Sequence, residues 1–83
     1  MSANATVSPK LTVLEVVRRT TAFFEERGVR DARVDAEWII SNCLGLRRLD
    51  LYLQFDRPLT ESELTSLREP VRRRGAREPL QYI

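Results

Sequence analysis

The residues able to carry chemistry are few. Two carboxylates, Asp35 and Glu37, stand two positions apart in "VDAEW", and Arg72, Arg73, Arg74 and Arg77 crowd together near the end of the chain. A lone thiol, Cys43, lies in the apolar run "WIISNCLGL", and histidine is absent from the sequence. That inventory excludes a disulfide scaffold, a Cys/His zinc site, a Ser–His or Cys–His pair and a histidine general base. Paired-carboxylate catalysis is unsupported, because residues two apart on a helix do not face each other. Asp35 and Glu37 read instead as helix-start charges near the positive end of the dipole. Cys43 reads as a buried, inert thiol. Gly28, Gly45 and Gly75 each read as a helix stop, so no glycine-rich phosphate or dinucleotide loop is formed.

The arginines have two readings. One is a solvated last helical turn that complements the negative end of the dipole. The other is a partner-binding patch, since the guanidinium fork binds carboxylates, phosphates and RNA backbones in a fixed geometry. All but Lys10 of the 14 basic residues are arginine, yet the net charge is only +2. A balance so small does not announce a nucleic-acid binder.

Helical elements must position these groups. The chain has 83 residues, 42% hydrophobic and 31% charged, which suits one globular domain and argues against disorder. Thr12 and Glu15 have the spacing of a capping box, with Leu11 and Val16 as its hydrophobic staple. The apolar set Val13, Val16, Val17, Thr20, Phe23 and Phe24 then predicts a helix over 12–27, stopped by Gly28. Asp31 is a candidate N-cap for a second, central helix. Its core face comprises Ala36, Ile39, Ile40 and Cys43, widened by Val34 and Trp38, with Gly45 ending it. Leu49, Tyr52 and Leu53 predict a short third helix, stopped at Asp56-Arg57-Pro58. Thr60 and Glu63 repeat the capping box, and Leu59 with Leu64 the staple, for a fourth helix carrying Leu64, Leu67 and Val71 on one face. Pro70 lies inside that pattern and predicts a kink, or two shorter helices meeting near Glu69.

The expected fold is therefore all-α, a small bundle of four to five short helices. Residues 1–10 read as a disordered leader, 11–77 as the bundle and 78–83 as the start of a linker. Apolar runs fall far short of the ~20 residues that span a bilayer. No signal-peptide pattern opens the chain, and a cytoplasmic setting is expected.

"RVDAEWIISNCLGLRRLDLYLQFDRPLTESEL" followed by "RRRGAREPLQYI" resembles the N-terminal domain of the HemK-type (PrmC) protein-glutamine methyltransferases. The matching positions are Asp35, Ala36 and Glu37, then the looser "LGLRRLDLYL", then Arg73, Arg74, Glu78, Pro79, Tyr82 and Ile83. Pro70 departs from the family, whose members continue that helix. The resemblance implies a helical module joined by a hairpin linker to a Rossmann-like domain that binds S-adenosylmethionine and carries an N-P-P-Y motif. In such enzymes the methyl group goes to the glutamine of a peptide chain release factor's G-G-Q motif. The helical module helps to recognise the release factor and does no chemistry. On this reading the 83 residues hold no catalytic, cofactor or metal site, and the partners are the release factor and the module's own catalytic domain. "EPLQYI" then marks the entry to the linker, with Tyr82 and Ile83 beginning strand-like pairing, or, without a partner, mobile or folded back on the bundle.

Two other readings stand beside this one. A free-standing helical nucleic-acid or ribosome binder would use the late arginines, but its candidate recognition helix opens with Glu61, Ser62 and Glu63, which phosphates repel. A purely structural domain would serve only to stabilise a longer enzyme.

Overall fold

The computed structural model describes residues 11–83, so the expected leader over 1–10 lies outside the described residues. Within them the chain forms α1 (Val13–Glu26), α2 (Ala32–Leu44), α3 (Arg48–Leu53), α4 (Glu61–Gly75) and a 3-10 turn, Leu80–Tyr82. The expected all-α bundle is what forms, with α2 packed against each of the other three helices. At its centre Val13, Val17, Phe24, Ala36, Ile40 and Leu51 are fully buried.

Both capping boxes form. The Thr12 hydroxyl accepts from the Glu15 amide at 3.3 Å, and the Glu15 carboxylate accepts from the Thr12 amide at 3.0 Å. Thr60 and Glu63 exchange the same bonds at 3.1 and 2.9 Å. The first turn of α1 gains more. Val13 and Leu14 donate their amides to the carbonyls of Arg57 and Phe55 at 2.9 and 3.0 Å, and the Leu59 amide donates back to Leu11 at 2.8 Å. Two of the amides that a helix start leaves unpaired are thus satisfied by the α3–α4 loop, which fixes that loop across the bundle end.

Three expectations about α4 and its neighbours need correction. Of the two alternatives for Pro70, two shorter helices meeting near Glu69 do not form: the helix runs from Glu61 to Gly75 with the proline inside it. Proline removes the donor that would have bonded the Ser66 carbonyl. The Cys43 thiol, from α2, donates to that carbonyl instead, with Sγ at 3.8 Å. Gly75 is not the left-handed stop. Arg77 takes that conformation, at φ 73°, while Gly75 is buried with the edge of the Phe23 ring where a Cβ would sit. Trp38, assigned to the core, is 50% exposed, and Val34 is 40% exposed. At about 100° per residue these two lie on the side of α2 away from Ala36 and Ile40. The space beside the core that they were expected to fill is taken by Asp35 and Glu37, which are 6% and 1% exposed.

The C-terminal residues form a 3-10 turn rather than the start of a strand, and Leu80 and Ile83 fold back against the core. Gly75→Ala would ordinarily stabilise a helix interior by about 1 kcal/mol. Here the Phe23 contact reverses the sign, and a loss of about 1–3 kcal/mol in urea unfolding is expected. Unchanged or increased stability would show that this close approach is absent.

Candidate recognition surface

Glu37 gathers hydrogen bonds from three different residues. Its carboxylate accepts from Arg33 Nε at 2.9 Å, from Arg48 Nε at 3.1 Å and from the Tyr52 hydroxyl at 2.6 Å. Arg33 sits one turn before it on α2, while Arg48 and Tyr52 are one turn apart on α3. One carboxylate therefore clamps the short helix to the central one. Burial pushes the Glu37 carboxyl up, but the Tyr52 hydroxyl and the two guanidiniums outweigh it and hold the group below its ordinary value. The same hydrogen bond pushes the Tyr52 phenol up.

Asp35 faces the opposite flank. Arg74 of α4 donates Nε to it at 2.9 Å and Nη1 to the Glu78 carbonyl at 2.9 Å. Arg73 pairs with the Glu78 carboxylate and donates to the Tyr82 carbonyl at 2.8 Å. Together these bonds tie α2, the end of α4 and the last six residues into one clasp. The other two late arginines lie apart from it. Arg72 pairs with Glu69 on the surface, and Arg77 donates to the Arg27 carbonyl at 3.3 Å, its guanidinium resting over Gly28. The four arginines are therefore spread among separate contacts rather than converging on one pocket.

Asp35 and Glu37 point apart, as their spacing requires, and no carboxylate pair forms. They are not solvated helix-start charges either. Asp31 makes no side-chain cap on α2, and the two carboxylates that follow are consumed in tertiary ion pairs. The Arg33–Glu37 spacing could have revealed half of the first clamp, but Arg48 and Tyr52 come from a different element and gave no local signal. Cys43 is partly buried, and burial pushes its thiol up, away from reactivity. Among the described residues no cluster of ligating side chains could hold a metal. None of the helices is long and apolar enough to cross a membrane.

What remains open is an apolar exterior. Leu49 and Leu53 on α3 are 74% and 81% exposed, and Tyr52 lies half-exposed beside them. The predicted helix is present, but only Leu51 turns inward. Trp38 forms one wall of a groove of about 160 Å³, closed by Pro70, Leu80 and Ile83. A second groove, of about 190 Å³, runs between α1 and α4 past Leu11, Val16, Leu64 and Val71, edged by Arg19 and Arg68.

Replacing Arg74 by Lys keeps the charge and loses the fork that serves Asp35 and Glu78 together. The expected loss is about 2–3 kcal/mol, read by urea unfolding, with Arg74→Ala worse still. Stability should also fall with acid. Glu37, Glu15 and Glu63 all have folded values below their ordinary 4.5. Their contribution is complete above that value and is lost as pH falls below it through the lowered folded values. Thermal unfolding followed from pH 7 to 3 should show the decline beginning near 4.5. Glu37→Gln, already weakened at pH 7, should show a shallower one.

Comparison with known proteins identifies the family. The model of the PrmC N-terminal domain matches residues 15–83. A release factor glutamine methyltransferase of Geobacter sulfurreducens is 47% identical over 72 residues, covering 87% of this chain and 25% of the relative. Its counterpart in Chlorobaculum tepidum is 44% identical over 71 residues, 86% of this chain and 24% of the relative. A human protein named MTRF1L release factor glutamine methyltransferase is 39% identical over 75 residues, 84% of this chain and 21% of the relative. The chain thus spans about a quarter of the length of the curated relatives it matches. No solved structure matches it. With its Asp35, Glu37, Arg73, Arg74 and Glu78 accounted for in two ion clasps, the chain belongs to the PrmC N-terminal domain family.

Proposed function

We propose that this chain is the substrate-recognition module of a release factor glutamine methyltransferase and that methyl transfer takes place elsewhere in a longer protein. The observation that carries the reading is the match of residues 15–83 to the N-terminal domain of proteins so named. The side chains support the division of labour. Asp35 and Glu37 are each held by arginine, and Cys43 is a poor nucleophile.

Among the described residues no glycine-rich loop of the kind that cradles a nucleotide-like cofactor is formed. Gly28 and Gly45 end helices in left-handed turns and Gly75 lies against Phe23, so no glycine is free to bring backbone close to a nucleotide-like ligand. What the module supplies is position. Holding the release factor so that its glutamine lies near the donated methyl converts a bimolecular encounter into an oriented one. A partner in translation termination would put the module where ribosomes work, and the cytoplasm is the compartment this reading proposes.

The test uses the 83-residue chain, a purified release factor and labelled S-adenosylmethionine. Circular dichroism should show a folded helical domain, titration calorimetry should show binding to the release factor, and no label should be transferred. Turnover by the chain alone, or failure to bind the release factor while binding RNA with a steep salt dependence, would replace this reading.

A further inference from the structure

The geometry points to the outward face of α2 and α3 as the surface that meets the release factor, through a segment presenting apolar side chains beside carboxylates. This rests on the recognition reading above and names its contact face. At about 100° per residue, Val34, Trp38 and Asn42 form an exposed strip of α2, and Arg33, also exposed, lies beyond its Glu37 flank. Asp35 and Ile39 bound that strip on one flank, and Glu37 and Ser41 on the other, all four buried. The Glu37 flank carries Arg48 and Tyr52 of α3, and the next positions round that helix are Leu49 and Leu53, opposite the buried Leu51. Trp38 is thus the next position round α2 from Glu37, and Leu49 and Leu53 are the next round α3 from its two partners, so exposed apolar side chains flank the Glu37 clamp on both helices.

Charge selects the occupant. Arg33 and Arg48 share a single carboxylate, and their side chains remain 49% and 41% exposed while that of Glu37 is 1% exposed. The clamp thus shows the solvent one uncompensated positive charge, set among apolar side chains. Asp35 and Glu37 are both buried and paired, and the exposed Asp31 at the start of α2 has the exposed Arg30 beside it, so the positive excess stands. Tryptophan, tyrosine and arginine dominate the energetic centres of protein contacts, and Trp38, Tyr52, Arg33 and Arg48 supply them here. A wholly apolar partner would strand the extra guanidinium, and a basic one would be repelled by it. The α1–α4 groove also has arginines at its rim, but its apolar residues are partly buried and it offers no aromatic side chain.

The experiment measures affinity of the 83-residue chain for a purified release factor by calorimetry, at two salt concentrations. Trp38→Ala, and separately the pair Leu49→Ser and Leu53→Ser, should each weaken binding about tenfold or more. Melting temperatures should stay within a few degrees of wild type, since these side chains are half or more exposed. Raising the salt should weaken wild-type binding, and Arg68→Glu, in the other groove, should leave it unchanged. Normal binding by both sets of variants would overturn the assignment of the face while leaving the recognition reading intact. So would a concentration-dependent dimer abolished by Trp38→Ala, which would make a second copy the occupant. No binding by the wild-type chain would remove both.

Discussion

The domain is organised by two buried carboxylates placed two residues apart on its central helix. Withdrawing a carboxylate from water costs several kcal/mol unless a cation and further hydrogen bonds meet it. Asp35 and Glu37 face opposite flanks of α2, so the two demands must be met by different neighbours. Arg48 and Tyr52 meet one by bringing α3 alongside, and Arg74 meets the other by bringing the end of α4. A packing that shifted either helix by a turn would leave a charge stranded at a cost of about 3–5 kcal/mol. Such pairs add little net stability compared with a greasy contact. Their effect is to make one arrangement of short helices far better than its neighbours.

That constraint propagates to the rest of the chain. Arg74 holds both Asp35 and the Glu78 carbonyl, so the position of α2 fixes the backbone just after α4. Arg73 extends the hold to Tyr82, and Leu80 and Ile83 settle against the core. The left-handed conformation of Arg77 makes the turn that lets Glu78 reach back, its amide donating to the Arg73 carbonyl at 3.1 Å. Close approach of α4 to α1 requires a residue without a side chain beside Phe23, and Gly75 supplies it. Pro70 is tolerated because the carbonyl it leaves unpaired points at a thiol on α2. Its cost is further limited by the partly exposed position it occupies.

Local signals in the sequence were sufficient for the elements and insufficient for the ion pairs. Thr12–Glu15, Thr60–Glu63, Gly28 and Gly45 act over three or four residues, and each does in the structure what its spacing predicts. Asp35, Glu37 and Trp38 depart from what their types predict for one shared reason. Hydrophobicity ranks tryptophan as core and carboxylates as surface, but on α2 arginines from α3 and α4 invert the order. That inversion depends on contacts between elements, Arg74 lying 39 residues from Asp35, which no local pattern encodes. Gly75 was misread because a helix-ending glycine and a helix-packing glycine look alike until the neighbour is known. The face of α3 was hidden for the same kind of reason. Its apolar spacing predicted a helix correctly, yet Leu51 is the residue that packs inward while Leu49 and Leu53 do not.

The exposed leucines bear on how such a domain recognises anything. A small domain buries a limited share of its surface, and every apolar side chain left outside lowers solubility without adding stability. Leu49 and Leu53 stand on a six-residue helix that would be marginal by itself in water. The Glu37 clamp and the burial of Leu51 are what hold that helix, and they act on the sides the leucines do not use. The face is therefore rigid without being covered. A partner that lands on it has little backbone to order, so more of the apolar contact survives as binding free energy. The buried charges that fix the fold are in this way also what holds the exposed leucines in place.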